Sequence, residues 1–448
     1  MRRLSHLTDE PSMHARVWRL AGPIILSNLS VPLLGAVDTA VMGHLPDPAY
    51  IGGVAIGGLV FSYIYWGFGF LRMGTTGFVA QATGAKDADE IRAVLARGLL
   101  LALIFGGGII ALQLPIALGA FAIIEGSAKV EALGEAYFLI RIWGAPAALA
   151  NYVAIGWLLG MQRAGATFVL TVFVNGLNIA LSLLFVVGFG WGIEGVAAAT
   201  LIAEWSAAFL GLVLISRRLR RVGGAWRWAL IRNRARLIRM LRVNLDIFIR
   251  TLCLITGFAW FTARGAIFGD TVLAANAVLL IFQSFLAHGL DGFAHATEAL
   301  VGNAVGARDR AGLRAAVRVS TLWAAICAGG FTLIFFVGGG PIIAALTNIE
   351  PVRATALIYL PYVIASPLVS VWCYQLDGIF IGATRTAEMR NAMLLSLAAF
   401  IAAEQVLVPL YANHGLWLAL LIFMGARAIT LGLWYPRLER SAAAAEAN

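Results

Sequence analysis

Charged residues are scarce in this chain, at 12% of its 448 positions. Soluble domains carry about 25% charged residues, whereas this chain is 60% hydrophobic and has a mean hydropathy of +0.85. This composition excludes an ordinary water-soluble fold. The sequence therefore predicts an integral membrane protein.

Cysteine and nucleotide-binding motifs are also lacking. Cys253, Cys327 and Cys373 lie singly within apolar stretches, without a C-x-x-C pair, so we predict neither a disulfide nor a thiolate metal site. The chain has no G-x-x-x-x-G-K-[ST] loop, which would hold nucleotide phosphates. We therefore expect no nucleotide hydrolysis and no cofactor, and energy for any transport must come from an ion gradient.

Long apolar runs dominate the rest of the chain. Runs of about 20 residues, enough to cross ~30 Å of hydrocarbon, occur about twelve times. We place them at 17–42, 51–82, 93–124, 133–159, 166–189, 192–215, 245–268, 271–304, 315–346, 354–381, 391–411 and 415–434. The predicted fold class is an all-α membrane protein with twelve transmembrane helices.

The two halves of the chain match each other at one fixed spacing of 222 positions. The matches are Gly-Ala-Lys-Asp at 84–87 with Gly-Ala-Arg-Asp at 306–309, and Gly160 and Arg163 with Gly382 and Arg385. Each half holds an even number of predicted helices, so the halves should be parallel repeats with the substrate between them near the midplane.

This repeat predicts three parts. We expect an N-terminal lobe at 1–215, an Arg-rich cytoplasmic linker at 216–242 and a C-terminal lobe at 243–448, the two six-helix lobes surrounding a central cavity. Transport would be a rocking of one lobe against the other.

The net charge of +10 follows a topological pattern. Basic residues collect in every second loop, at Lys86, Arg92, Arg97, Arg163, 217–242, 308–318, Arg385 and Arg390. Cytoplasmic loops of membrane proteins have this bias, which predicts that both termini are cytoplasmic in a bacterial inner membrane. Nucleic-acid binding is the less favoured reading of the charge. We expect a monomer whose partners are small-molecule substrates and the lipid bilayer.

Asp38 lies within the first apolar run, where an acid is costly to keep and marks a functional site by default. Pro23 and Pro32 precede it and each removes a backbone donor, which favours a kink in this helix. A proton carrier at Asp38 is therefore physically reasonable. The alternative is that Asp38 lies near the outer surface and ends the helix before His44 and Pro46.

A polar stripe marks the eighth predicted helix. His288, Asp291, His295 and Glu298 are spaced by three, four and three residues, so they share one helix face. A zinc site is one interpretation, but about ten residues extend ~15 Å along the axis and only neighbours could share one metal. We predict instead that the stripe lines the cavity, with Asp291 and Glu298 as secondary proton or cationic-substrate sites.

Aromatic residues are frequent in the helices expected to form the cavity, namely Tyr63, Tyr65, Trp66, Phe68, Phe70, Trp260, Phe282 and Phe285. Aromatic faces near acids suit amphipathic cations. The alternative is that these rings face lipid or neighbouring helices.

Four strings resemble the multidrug and toxic compound extrusion (MATE) family. They are VDTAVMGH at 37–44, NGLNIALS at 175–182, GIEGVAAAT at 192–200 and LDGIFIGATR at 376–385. The last two look like its DNA-damage-inducible (DinF) branch, and the resemblance covers nearly the whole chain. It implies a two-lobed exporter, rather than an enzyme, that drives organic molecules out of the cell in exchange for protons or sodium.

The resemblance also assigns residues. It implies a cation site of the first lobe formed by Asp38, Asn178 and Thr200, and a bend of the first helix at Pro23. Asp377 is similar to an acid that other branches use in the second lobe. Ser182 departs from the pattern, because this branch usually has a second aspartate there.

The departure at Ser182 favours protons. A sodium ion prefers several hard oxygens, whereas a proton needs one carboxylate such as Asp38. Asn175, Asn178, Ser182 and Thr200 could still offer neutral oxygens to sodium. Their plain alternative is interhelical hydrogen bonding, which contributes roughly 0.6 to 2 kcal/mol per contact.

Several alternatives stay open on the sequence alone. The acids Asp291, Glu298 and Asp377 could form salt bridges to buried arginines such as Arg72, Arg250 or Arg264. The chain could be a sodium-coupled exporter, or a flippase of a lipid-linked precursor if Arg72, Arg141, Arg250 and Arg264 made the cavity basic. A membrane enzyme would need paired histidines or a nucleophile with its base, for which the stripe is the sole candidate.

Overall fold

A computed structural model of the chain describes residues 12–43, 47–123 and 127–444, without the side chains at 29, 31–36, 38–40, 42, 123 and 441–444. The helices are α1 (Met13–Gly43), α2 (Ala49–Gly67), α3 (Phe70–Gly84), α4 (Ala88–Ala111), α5 (Gln113–Ile123), α6 (Ala128–Arg141), α7 (Ala145–Gly160), α8 (Ala164–Ser182), α9 (Gly192–Val222), α10 (Trp228–Ile231), α11 (Arg234–Ala266), α12 (Asp270–Gly306), α13 (Arg310–Leu346), α14 (Glu350–Gly382), α15 (Thr386–Tyr411) and α16 (Asn413–Ala444). A 3-10 turn (Ile142–Gly144) joins α6 to α7, and a π-helical segment (Leu183–Gly188) follows α8.

Eleven stretches of the described chain are helical, long and apolar enough to cross a membrane by length and composition. Two of them combine consecutive helices, α2 with α3 and α6 with α7, and a third is α8 with its π-helical segment. The 31-residue helix α1 occupies the place of the first predicted span. The predicted all-α membrane fold is confirmed.

Most of the basic segment 216–242, which was predicted to be a linker, is helical. Helix α9 continues to Val222 and α11 begins at Arg234, so only 223–233 connects the lobes, with α10 inside it. Arginine is a good helix former, and its long side chain can reach water from a helix end. The helices α9 and α11 thus extend beyond the ends that were predicted from the apolar runs.

The chain packs as two lobes. In the first lobe α7 packs against α3, α4 and α9, and α8 lies against α1 and α9. In the second lobe α14 packs against α12, α13 and α16, and α15 lies against α11 and α16.

The repeat found in the sequence is also present in the backbone. Helices α3 and α12 end at Gly84 and Gly306, 222 positions apart. Two residues later the backbone turns into the left-handed region, with φ of 55° at Lys86 and 58° at Arg308. The next residue caps the following helix in both lobes. The Asp87 carboxylate accepts from the backbone amide of Glu90, and the equivalent carboxylate of Asp309 accepts from the backbone amide of Gly312.

The lobes meet where these helices end, at the end of the bundle that carries the basic loops, here called the basic end. A Cβ on Gly84 would collide with the carbonyl of Asn303, and a Cβ on Gly306 with that of Gln81. Gln81 and Asn303 are themselves equivalent in the repeat, so the contact has pseudo-two-fold symmetry. We call these two glycine contacts the glycine seam.

Hydrogen bonds reinforce the seam. The side-chain amide of Gln81 in the first lobe donates to the carbonyl of Gly382 at 3.0 Å and to the Thr384 hydroxyl at 3.1 Å, both in the second lobe. The structure is therefore closed between the lobes at the basic end.

A valine in place of Gly306 should open the basic end, because its side chain cannot fit against the Gln81 carbonyl. Spin labels at Arg163→Cys and Ala387→Cys, in a protein without its native cysteines, would report the separation of the lobes by electron resonance. We expect the longer-distance population to increase. Gly329→Val is the matched control, since nothing lies within 4 Å of a Cβ there. Identical distances in both variants would refute the closing role of the seam.

Candidate functional site

A buried polar cluster joins α8 and α9 in the first lobe. The Asn178 amide donates to the Thr200 hydroxyl at 2.8 Å, and the Ser182 hydroxyl donates to the Asn178 carbonyl oxygen at 3.2 Å. The Thr200 hydroxyl itself donates to the carbonyl of Val196 at 3.0 Å. The structure therefore brings together Asn178, Ser182 and Thr200, three of the four neutral residues that the sequence assigned to the first-lobe site. We call them the first-lobe cluster.

Asn175 connects α8 to α1 rather than to this cluster. Its amide donates to the Ser30 hydroxyl at 2.7 Å, and the two helices pack along each other. Ser30 was missed in the sequence, where a serine in an apolar run carries no distinguishing signal.

Asp38 is on α1, but its side chain lies outside the described residues. Its backbone position follows from helix register. Asp38 is eight residues beyond Ser30, about 12 Å along the axis, and Ser182 is seven residues beyond Asn175, about 10 Å. As first and fifth spans, α1 and α8 run in the same direction, so the backbone of Asp38 reaches the level of Ser182.

Two backbone features flank this site. Pro23 lies within α1, which continues as a helix through it, and the missing amide leaves the helix one hydrogen bond short at this point. A π-helical segment begins at Leu183, directly after Ser182. Such wide turns are common at functional sites, and no pattern in the sequence predicted this one.

In the second lobe, Asp377 is held by two arginines. Its Oδ2 accepts from Arg250 and, at 2.8 Å, from Arg427, and all three side chains are buried. The salt-bridge alternative is therefore the observed arrangement for Asp377. A carboxylate between two guanidinium groups has little capacity for a further cation, so its assignment as a free cavity acid does not fit the structure.

Glu298 forms an ion pair between the lobes. Arg72 of α3 lies 3.4 Å from Glu298 Oε2 of α12, and the Glu298 side chain is 1% exposed. Its second oxygen is buried without a hydrogen-bond partner among the described residues. Glu298 is thus a bridging residue in this conformation and not a free acid.

Asp291 is the member of the predicted acid set that forms no ion pair with any described residue. It is partly buried on α12, within electrostatic reach of Arg72, Arg250 and His288. His288 bonds through its ring to the Ser284 carbonyl at 2.7 Å, and His295 lies one turn beyond Asp291. The stripe does lie on one continuous helix, as predicted.

A metal is not favoured by this arrangement. Within the residues that the structure describes, no three His, Cys, Asp or Glu side chains are grouped so that they could hold a metal ion.

The four arginines that could have made a basic cavity are each paired with a carboxylate. The pairs are Arg72 with Glu298, Arg141 with Glu204 at 3.7 Å, Arg250 with Asp377, and Arg264 with Glu404 at 2.5 Å. Glu204, Glu404 and Arg427 were missed in the sequence. Each is a charge inside an apolar run, so a signal existed, but the partner could not be read from spacing.

The two lobes have diverged at the level of the first-lobe cluster. The position equivalent to Ser182 is Glu404, whose side chain is fully buried and paired with Arg264. The first lobe has a small hydroxyl where the second has a fixed ion pair. Among the described side chains, the first lobe therefore has neutral amide and hydroxyl groups at this level, and the second lobe has an ion pair.

The aromatic residues divide between core and surface. Tyr65, Phe70 and Phe282 are buried, whereas Tyr63 is 52% exposed and Trp66 49%. Phe285 and Trp260 are also among the exposed rings. Tyr65 and Phe282 pack against rings of their own lobes, and Phe70 contacts Phe248 of the other lobe. None of these three rings is free to receive a substrate.

Removing the charge of Asp377 should destabilise the protein strongly. Asp377→Asn leaves Arg250 and Arg427 without their carboxylate, and breaking a buried pair in this way costs about 3–5 kcal/mol. Asp291→Asn is the matched control, with an expected cost under about 1 kcal/mol because no described pair is broken. Denaturant unfolding in detergent would measure both. Equal costs would show that the Asp377 network is not structural.

Comparisons with known proteins agree with this architecture. The MatE family model matches residues 23–184 and 247–403. The chain is 42% identical to DNA damage-inducible protein F of Escherichia coli (strain K12), over 95% of this chain and 92% of that protein. A MATE structure in the bent conformation has a TM-score of 0.86 at 20% identity, covering 98% of each chain.

A second structure matches similarly, an outward-facing multidrug resistance MATE family transporter of the MOP superfamily. Its TM-score is 0.85 at 19% identity, over 96% of this chain and 97% of that one. With a family model that covers most of its length and a close curated relative, this chain belongs to the MatE family, the multidrug and toxic compound extrusion family that its motifs resemble.

Proposed function

We propose that this protein is a secondary active exporter that exchanges protons for cationic or amphipathic organic compounds. We further propose that it lies in the bacterial inner membrane with both termini in the cytoplasm. One structural neighbour is a multidrug resistance MATE family transporter, which supports the transport class. Proton coupling through Asp38 is the finer part of the proposal.

The first-lobe cluster carries the argument for protons. The Asn178 carbonyl oxygen accepts from Ser182, and the Thr200 hydroxyl both accepts from Asn178 and donates to the backbone. Each of these oxygens keeps at least one lone pair free, but their mutual hydrogen bonds orient them toward one another. Gathering several of them around one sodium ion would therefore require the cluster to rearrange. A proton on Asp38 requires none of this rearrangement.

The gradient is sufficient for export. One proton moving down ~100 mV supplies about 2.3 kcal/mol, and one pH unit adds about 1.4 kcal/mol. Together these support a gradient of about several hundred fold in a neutral substrate. No second energy source is required.

The proposed cycle uses the closed basic end. With the lobes in contact at the glycine seam, Asp38 takes a proton from outside, α1 rebends at Pro23 and the bound compound leaves. Return to the inward form requires the seam to separate and the pair between Arg72 and Glu298 to break. Asp291, without an ion-pair partner among the described residues, is the second-lobe contact that we assign to cationic substrates.

The pairing of the arginines disfavours the flippase alternative. A lipid-linked precursor carries phosphates, which need guanidinium groups free to bind them. Arg72, Arg141, Arg250 and Arg264 each have a carboxylate partner instead. Sodium coupling and lipid-linked cargo are therefore the two alternatives that a transport experiment must separate from proton-coupled export.

Asp38→Asn should abolish transport driven by a pH gradient alone, because an amide cannot carry the proton. Efflux of a fluorescent lipophilic cation from sodium-free proteoliposomes would measure this. We expect intact protein to transport and Asp38→Asn to fall to the level of empty liposomes. Glu135→Gln, an exposed acid of α6, is the control and should transport normally.

Two results would contradict this assignment. Robust transport by Asp38→Asn would move the coupling site to Asp291, the acid of the second lobe that forms no ion pair with a described residue. No transport by the intact protein, followed by transport when sodium is added, would replace protons with sodium.

Asp291→Asn should weaken binding of cationic substrates and leave neutral ones unaffected, because only a cation gains from the carboxylate. A charge-assisted contact contributes about 1.5–3 kcal/mol, so KM should rise roughly 10- to 100-fold at unchanged maximal rate. Initial rates for a cationic and a neutral amphiphile in the same liposomes would test this. An equal effect on both compounds would exclude a substrate contact at Asp291.

A further inference from the structure

A cavity lies at the basic end of the second lobe. It has a volume of about 700 Å³ and is formed by the first turns of α11, the connection between α14 and α15, and α16. Its charged and aromatic lining residues are Arg239, Arg242, Asp246, Arg385, Glu388 and Trp434. We call it the basic pocket. The proposed transport cycle makes no use of it.

The acids of the basic pocket are already compensated. Asp246 Oδ1 lies 2.6 Å from Arg390 and its Oδ2 accepts from the Thr386 hydroxyl at 3.1 Å. Glu388 lies 3.4 Å from Arg385. Neither carboxylate is left to neutralise the remaining positive charges of the lining.

Two arginines of the pocket have no acid partner among the described residues. Arg239 donates to the Thr384 hydroxyl at 3.2 Å and stacks over the Phe78 ring at 5.5 Å, both uncharged neighbours. Arg242 is exposed and forms no ion pair with a described carboxylate. The basic pocket therefore carries an excess of positive charge that a bound anion would neutralise.

The start of α15 strengthens this preference. The helix begins at Thr386, and Thr386, Ala387 and Glu388 all line the cavity. The first amides of a helix lack partners within it and carry a partial positive charge, which favours phosphate. Arginine forks also match phosphate oxygens in geometry.

Apolar side chains surround the polar pocket. Trp434 is in its wall, and tryptophan is the residue most typical of the membrane interface, together with tyrosine. On the same helices Leu241 is 39% exposed, Leu245 55% and Leu433 74%. A ligand with a charged phosphate and alkyl chains fits such a surface better than a fully soluble anion does.

We propose that the basic pocket binds the phosphate headgroup of an anionic phospholipid from the leaflet at the basic end, with Arg239 and Arg242 as the principal ligands. Basic pockets between transmembrane helices recognise such headgroups. The proposal does not depend on which ion drives transport or on which compound is exported.

Native mass spectrometry of delipidated protein would test it with phosphatidylglycerol, phosphatidylcholine and inorganic phosphate as separate probes. Each basic residue near such a headgroup contributes about 1 kcal/mol, about fivefold in affinity. The double variant Arg239→Gln/Arg242→Gln should therefore bind phosphatidylglycerol about 30-fold more weakly. Arg239→Lys/Arg242→Lys keeps the charge and should retain most of the affinity.

Arg217→Gln/Arg220→Gln is the matched control, since it removes two exposed arginines from the end of α9, outside the pocket. It should change the affinity less than twofold. An equal loss in the control, or equal binding of phosphatidylcholine to the intact protein, would overturn the proposal. Free phosphate that binds as tightly as the lipid would also overturn it and would assign the pocket to a soluble anion.

Discussion

Charge compensation within the membrane-spanning helices is the constraint on which this structure depends. An unpaired guanidinium or carboxylate in hydrocarbon costs several kcal/mol. Five arginines have an acid from another helix within ion-pair distance, namely Arg72, Arg141, Arg250, Arg264 and Arg427. These pairs fix the helices in register. Arg250 and Arg427 hold α11 and α16 to Asp377 of α14, and Arg264 holds α11 to Glu404 of α15. Against this background an acid without a partner becomes informative.

The ion pair of Arg72 with Glu298 differs from the others just named because it joins the lobes, as the more exposed pair of Arg236 with Glu90 also does. Arg72 with Glu298 shares the interface with the glycine seam, where backbone meets backbone without room for a side chain. Small residues let transmembrane helices approach closely while adding little attraction of their own. An interface of this kind can close tightly and still separate, which rocking of rigid lobes requires. The pairs inside each lobe keep the lobes rigid during such a motion.

The repeat explains why the lobes share a fold and yet differ in chemistry. The turns after Gly84 and Gly306 have the same left-handed residue and the same aspartate cap, because these features hold the helix ends. The residues at the level of Ser182 do not hold helix ends in this way. There the first lobe holds mutually hydrogen-bonded amides and hydroxyls beside α1, and the second holds the buried Glu404 with Arg264. Equivalent positions of the repeat thus hold a hydrogen-bonded polar group in the first lobe and an ion pair in the second.

The sequence by itself determined the membrane class, the helix number, the repeat and the family, because apolar run length and motif strings are local properties of the chain. Through a resemblance it also placed Asn178 and Thr200 in one site with Asp38, and the structure joins these two by a hydrogen bond between α8 and α9. Only the tertiary structure decided which acids are free, since Glu298 and Asp377 look no different from Asp291 along the chain. Their partners lie 226 residues away at Arg72 and 127 away at Arg250, and such a pairing depends on how helices pack, which no local pattern records. The basic pocket was hidden for the same reason, because its walls come from three helices that meet only in the folded lobe.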